Sequence, residues 1–243
     1  MVDQLAITEA IAFPDASQLI TEDDTPVDNF ASAKQQRLLV SSLYSALEGQ
    51  IVLAEANVGI YHTFSQPPIV PDVFVSFNVQ VPQNWWDKEN RCYLVWNFGK
   101  PPEIVIEIVS NKVGNELTDK FATYEHMRVS YYVVYDPSQQ LSETPLRLFE
   151  LRGMHYTEMA EPWLEQVSLG LATWEGEFEG RQDTWLRWHN AEGEILLTGD
   201  EQAEQERNRT EQAEQRANQE RDRADRLAEL LRSQGIDPDQ LPE

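Results

Sequence analysis

A single cysteine, Cys92, stands in the 243 residues, so no internal disulfide can form and a reducing compartment is expected. Positive charge is scarce: 19 Lys and Arg against 42 Asp and Glu give a formal net charge of -23. That balance excludes a general nucleic-acid coat protein, which needs a basic face. An enzyme acting on nucleic acid is not excluded, because a metal ion supplies positive charge locally. Long apolar runs are also missing. No window reaches the roughly 18 apolar residues of a membrane span. The opening "MVDQLAITEAIAFPDASQLI" has no basic stretch leading into an apolar core, so no signal peptide and a cytoplasmic protein are expected.

What is present suffices for a globular core, with 41% hydrophobic and 10% aromatic residues. Residues 1–30 are acidic and irregular, and read as an N-terminal arm. "SAKQQRLLVSSLYSALEG" has helical spacing at Leu38, Leu39, Ser42, Leu43, Ala46 and Leu47, with Gly49 as the stop. "QIVLAEANVGIYHT" and "PPIVPDVFVSFNVQV" read as strands, and "CYLVWNF" as a further one after the loop "PQNWWDKENR". "NELTDKFATYEHMR" is an amphipathic helix carrying Leu117, Phe121, Tyr124 and Met127 near one face. "SYYVVYDP" is a buried strand, and "LRLFELRGMHYTEM" a hairpin about Arg152-Gly153. Short strands or turns are expected from Trp163 to Leu197, with Trp163, Trp174, Trp185 and Trp188 in a peripheral β layer. The order predicts an α/β domain with a mixed sheet over 31–199.

From Asp200 to Arg232 there is no Gly, Pro or aromatic residue, which predicts a helix. Ala203, Thr210, Ala217, Ala224 and Leu231 recur at heptad spacing, with Ala213 and Leu227 at the next seam position and Glu206 and Glu220 interrupting it. A solvated single helix and a coiled coil are both open for 200–243.

The chemistry-bearing residues surround "PPEIVIEIVSNK". Glu107 interrupts an apolar strand, sharing a face with Glu103, Val105 and Val109. Asp72 follows Pro71 at the start of another strand. Converging on adjacent strands, these carboxylates would repel each other and resist desolvation, and a hard cation such as Mg²⁺ or Mn²⁺ would relieve both. Lys120, one helical turn before Tyr124, borders the apolar stripe and can reach back towards them. The chemistry that wants this set is metal-assisted phosphodiester hydrolysis. Each piece also has a plainer reading: a turn device for Pro71-Asp72, a salt bridge for Glu107, a Glu116 pairing for Lys120.

Together, "VPDVFVSF", "GKPPEIVIEIVS" and "DKFATYEHMRVSYYVVYDP" resemble the Uma-two endonuclease family within the PD-(D/E)XK restriction-endonuclease-like superfamily. The resemblance covers about residues 30 to 197. It implies a restriction-endonuclease-like mixed sheet flanked by helices, an Mg²⁺ or Mn²⁺ site, DNA as substrate, and a homodimer or other homo-oligomer. Carried over, Asp72 and Glu107 are metal ligands, the main-chain carbonyl of Ile108 is a third, and Asp72, Glu107 and Lys120 are catalytic. Two positions depart from the pattern. The superfamily lysine two residues after the glutamate is Val109 here, its role passing to Lys120 as in the family at large. The family's Gly-Val pair is Arg128-Val129, which predicts a less tight turn. Tyr124 and Glu55 are supporting candidates; Glu48 is a weaker one, and His62 reads better as a structural histidine. Trp85 and Trp86 either stack bases or pack over the sheet edge. The rival to an endonuclease is a catalytically idle fold serving as an interaction module assembled through its C-terminal helix. A metal-free hydrolase using the two carboxylates as acid and base is a third reading.

Overall fold

The computed structural model describes residues 29–63, 67–87, 90–110 and 115–234. The acidic arm expected over 1–30 lies almost wholly outside the described residues, as do Phe64 and the tail from Gly235. Helix α1 (Phe30–Ala46) starts where the Asn29 side chain accepts from the Ser32 amide, filling one of the orphan donors of the first turn. Its buried stripe holds Leu38, Leu39 and Leu43, and also Gln35, Gln36 and Ser42.

Six strands form the main sheet in the order β1 (Val52–Ala56), β3 (Val73–Phe77), β5 (Ile104–Ile108), β6 (Tyr131–Tyr135), β7 (Leu146–Arg152), β8 (His155–Glu158). Only β5 and β6 run parallel; every other neighbour is antiparallel. Parallel neighbours need a crossover, and α3 (Asp119–Met127) supplies it. The period-two alternation of β5 then sorts its side chains. Ile104, Ile106 and Ile108 enter one core with Leu39 and Leu43 of α1. Val105 and Val109 enter the other, with Tyr124 and Met127 of α3. Glu107 falls between those two valines on the α3 side, as the alternation requires.

The first core is closed by a three-stranded sheet, β9 (Trp163–Leu164), β10 (Leu169–Phe178) and β11 (Arg181–His189). This region is more regular than short strands and turns, and its tryptophans are not all peripheral. Trp188 is fully buried against the main sheet and donates its indole N–H to the Leu39 carbonyl of α1. "CYLVWNF" is also not a strand throughout. Tyr93 and Leu94 pair with Ile60–Tyr61 as β4 and β2, and Val95–Phe98 then turns into a short helix, α2, ended by Gly99 at φ 76°. That turn lays Phe98 on Tyr93, with ring centroids 4.3 Å apart.

The Arg128-Val129 turn is tight. Arg128 caps α3 in the left-handed conformation, φ 70°, the backbone position for which glycine is suited. Helix α4 (Gly199–Ser233) opens on a capping box between Thr198 and Glu201. Glu201 also grips the buried Arg187 guanidinium through two bonds of 2.7 and 2.9 Å, which pins the helix to β11. Beyond that anchor α4 has no buried residue and extends roughly 50 Å. No helix among the described residues is long and apolar enough to cross a membrane.

Candidate active site

The β3–β5 ladder ends at Val73 opposite Ile106. One rung further, Asp72 faces Glu107 and Pro71 faces Ile108. Proline has no N–H for the ladder, so pairing stops there. The Ile108 amide turns instead to Asp72 Oδ2 at 2.7 Å. Across that rung, Pro71 has no N–H to give the Ile108 carbonyl. The Pro-Asp dipeptide therefore does two things: it ends the ladder, and it leaves a carboxylate and a carbonyl at the break.

Glu107 is buried, at 1% exposure, and both its oxygens are engaged from α3. Lys120 Nζ donates to Oε2 at 2.8 Å, and the Tyr124 hydroxyl to Oε1 at 2.7 Å. Lys120 and Tyr124 are one helical turn apart, so one face of α3 delivers both donors. Asp72 is held from the other side. The Gln36 side-chain amide of α1 donates to Oδ1 at 2.9 Å, and the Asn57 side chain donates to Gln36 Oε1 at 3.0 Å.

Burial pushes the Glu107 carboxyl up to about 8; Lys120 and Tyr124 oppose the shift and the Asp72 charge adds to it. Burial also raises Asp72, against the Ile108 amide, Lys120 and Gln36. Burial alone would lower Lys120, but Glu107, Asp72 and Glu116 outweigh it and hold the ammonium above its usual range. Glu116 is a third acid nearby, with Oε1 4.0 Å from Lys120 Nζ and Oε2 buried without a hydrogen-bond partner.

The structure thus brings together Asp72, Glu107, Lys120 and Tyr124. Glu55 lies opposite Phe74, on the same sheet face as Asp72, but its carboxylate sits 3.5 Å from the Tyr44 hydroxyl rather than with the pair. Glu48 is exposed in the turn after α1. His62 meets the His126 ring of α3, with centroids 6.2 Å apart. Gln36 and Asn57 were not among the expected site residues. The available signal was two glutamines, Gln35 and Gln36, a turn before Leu39 and Leu43 on a face that otherwise buries leucine.

No cluster of three or more His, Cys, Asp or Glu side chains suited to a metal occurs among the described residues. Two carboxylates and a main-chain carbonyl are all-oxygen donors, as Mg²⁺ and Mn²⁺ prefer, and those ions keep several waters. Gln36, the Ile108 amide, Lys120 and Tyr124 each occupy one position on these oxygens, and an ionised carboxylate oxygen offers two lone pairs. The set fits a hard, partly hydrated ion. Two cavities border neighbours of the pair, and neither is lined by Asp72 or Glu107. One of about 600 Å³ borders Phe74 and Glu55; another of about 350 Å³ borders Ile108, Val109 and Ser110 at the end of β5.

The Uma2 family model, described as "Putative restriction endonuclease", matches residues 20–175, more than half of the chain. No curated protein matches the chain. Among solved structures, a "putative nuclease belonging to DUF820" from Anabaena variabilis ATCC 29413 is similar at 18% identity and a TM-score of 0.40. That match covers 56% of this chain and 71% of the other.

Proposed function

The chain belongs to the Uma2 family, and on that premise we propose that it is a divalent-metal-dependent endonuclease hydrolysing phosphodiester bonds in DNA. One observation carries the reading: where the β3–β5 ladder stops at Val73 and Ile106, the Asp72 carboxylate accepts from the Ile108 amide and Lys120 donates to the neighbouring Glu107. Asp72, Glu107 and the Ile108 carbonyl would hold Mg²⁺ or Mn²⁺. Once bound, the ion supplies Lewis acidity at a phosphate oxygen and lowers the pKa of its water.

The chain's own residues do the rest. Gln36 and the Ile108 amide fix both oxygens of Asp72. Tyr124 fixes one oxygen of Glu107 from a buried position. Lys120 sets a positive charge at the carboxylates, where an anionic phosphodiester would otherwise meet two negative groups. Its 32% side-chain exposure leaves the ammonium open to an incoming substrate. With a net charge of -23, long-range attraction to DNA is poor, so binding should be weak. Within this proposal residues 31–199 form the nuclease domain, and copies associate as a homodimer or other homo-oligomer in the cytoplasm.

A second reading has an observation in its favour. All four carboxylate oxygens already accept bonds within the chain, as in a retired site kept as a protein-interaction module. Thermal unfolding with and without Mn²⁺ separates the two. A live site gains stability with the ion, and Glu107→Ala abolishes the gain. If wild type and variant respond alike, the endonuclease reading is wrong.

A further inference from the structure

The 600 Å³ cavity is not used by the chemistry above. Its floor is Leu53 and Phe74 of the sheet together with Tyr93 and Phe98; its outer wall is the loop bearing Trp85 and Trp86. Phe74 is two residues from Asp72 on one face of β3, so the cavity begins roughly 7 Å along the strand from the carboxylate pair. Trp85 and Trp86 are 57% and 77% exposed, although they wall an apolar space. Their rings stand nearly perpendicular, at 73° with centroids 6.0 Å apart. A flat ring lying on one indole would therefore meet the edge of the other, a favoured aromatic arrangement.

Polar groups occur at the margin. Arg91 donates to the Trp86 carbonyl at 2.9 Å and Asn90 to the Asn84 carbonyl at 3.2 Å, which braces the loop in its exposed position. Half-buried Glu55 is among the lining residues. Apolar faces for stacking, with a few hydrogen-bonding groups for an edge, form the recognition chemistry of a nucleobase. Charge favours the same conclusion. A chain this acidic gains little from phosphate contacts, whereas stacking on an indole does not depend on net charge.

We propose that this cavity takes one unpaired nucleobase of the strand cut at Asp72 and Glu107, so that the protein selects single-stranded or unpaired positions. A base locked in a duplex stack cannot enter it. The proposal rests on the endonuclease reading for its substrate, and a binding measurement separates the two.

The probes are a fluorescein-labelled single-stranded DNA 12-mer and its duplex, with the full-length Glu107→Gln protein and anisotropy as the readout. The single strand should bind about 10-fold more tightly than the duplex. Adding Trp85→Ala and Trp86→Ala should remove that difference, and Trp85→Phe with Trp86→Phe should restore most of it. Because both side chains are largely exposed, an unchanged melting temperature shows that the fold is intact. Single-strand preference that depends on the tryptophans, in a protein whose wild type cuts no DNA, supports the cavity while the endonuclease reading fails. Cleavage by wild type with equal binding of both probes by every variant overturns the cavity proposal alone. A molecular mass that falls to the monomer only in the Trp→Ala variant assigns the face to a second copy, which also overturns it.

Discussion

Replacing Glu107 by Gln should stabilise the metal-free protein at neutral and alkaline pH. The carboxyl is 1% exposed, and its folded pKa is pushed up to about 8, above an ordinary value of 4.5. A raised acid pKa means that stability is fully present below the unfolded value and is lost as pH rises through the folded one. The window is therefore pH 4.5 to about 8. At about 1.4 kcal/mol per pH unit, the ceiling of the loss is roughly 4–5 kcal/mol. Relaxation and water entry reduce such penalties, so about 2 kcal/mol is expected near pH 8. Glutamine keeps both contacts: its carbonyl can accept from Lys120 and its amide can donate to the Tyr124 oxygen. Urea unfolding in a chelator across this pH range tests the argument. Wild type and Glu107→Gln should be equally stable at acid pH and diverge as pH rises, with the variant more stable. Parallel curves, or a variant less stable at pH 8, would refute the view that the native state disfavours the Glu107 charge. Adding Mn²⁺ should then restore wild type and leave the variant unchanged.

Three further outcomes follow from other parts of the fold. Glu201→Ala should destabilise by about 3 kcal/mol in denaturant unfolding, because it strips the partner from Arg187, which is 1% exposed, and breaks the α4 capping box. Burial tends to raise the Glu201 carboxyl, but Arg187 and Thr198 hold it below its usual value, so this support should be present above pH 4.5 and fade under acid. Arg128→Gly should raise stability by about 1 kcal/mol, since φ 70° is strained for arginine and its hydrogen bonds go to the exposed Gly153–Met154 turn; an unchanged or lower midpoint contradicts this. Glu179, whose carboxyl Arg37 and Lys34 pull down to about 2, should add under about 1 kcal/mol, detectable at low salt and absent at high salt, and lost as pH falls from 4.5 towards 2.

Much of this molecule is legible in its sequence because the site breaks local rules. A glutamate in an apolar strand and an aspartate after proline at a strand start are anomalies that single-residue chemistry can find. Lys120 and Tyr124 are legible too, since helical spacing puts them on one face. Gln36 is harder: a glutamine on a helix looks solvated, and only the contact between α1 and the sheet shows that its face is buried. The depth of Trp188 was hidden for a similar reason. Its burial depends on the β9–β11 sheet folding back over the main one, a long-range event without local signal. "CYLVWNF" misleads because strand-favouring residues are used there for a tertiary purpose, the Tyr93–Phe98 stack. Arg128 shows how a local rule is overridden, for the turn keeps a glycine geometry without the glycine.

As a nuclease, the protein would cut phosphodiester bonds through Asp72, Glu107 and Lys120 with a divalent ion. The most direct measurement is plasmid nicking at low salt with Mn²⁺ or Mg²⁺, comparing wild type with Asp72→Ala, Glu107→Ala and Lys120→Ala. The account predicts nicking by wild type that a chelator abolishes, and a loss of at least about 100-fold in each variant. Equal nicking by wild type and all three variants, or none by wild type with either ion, would contradict it.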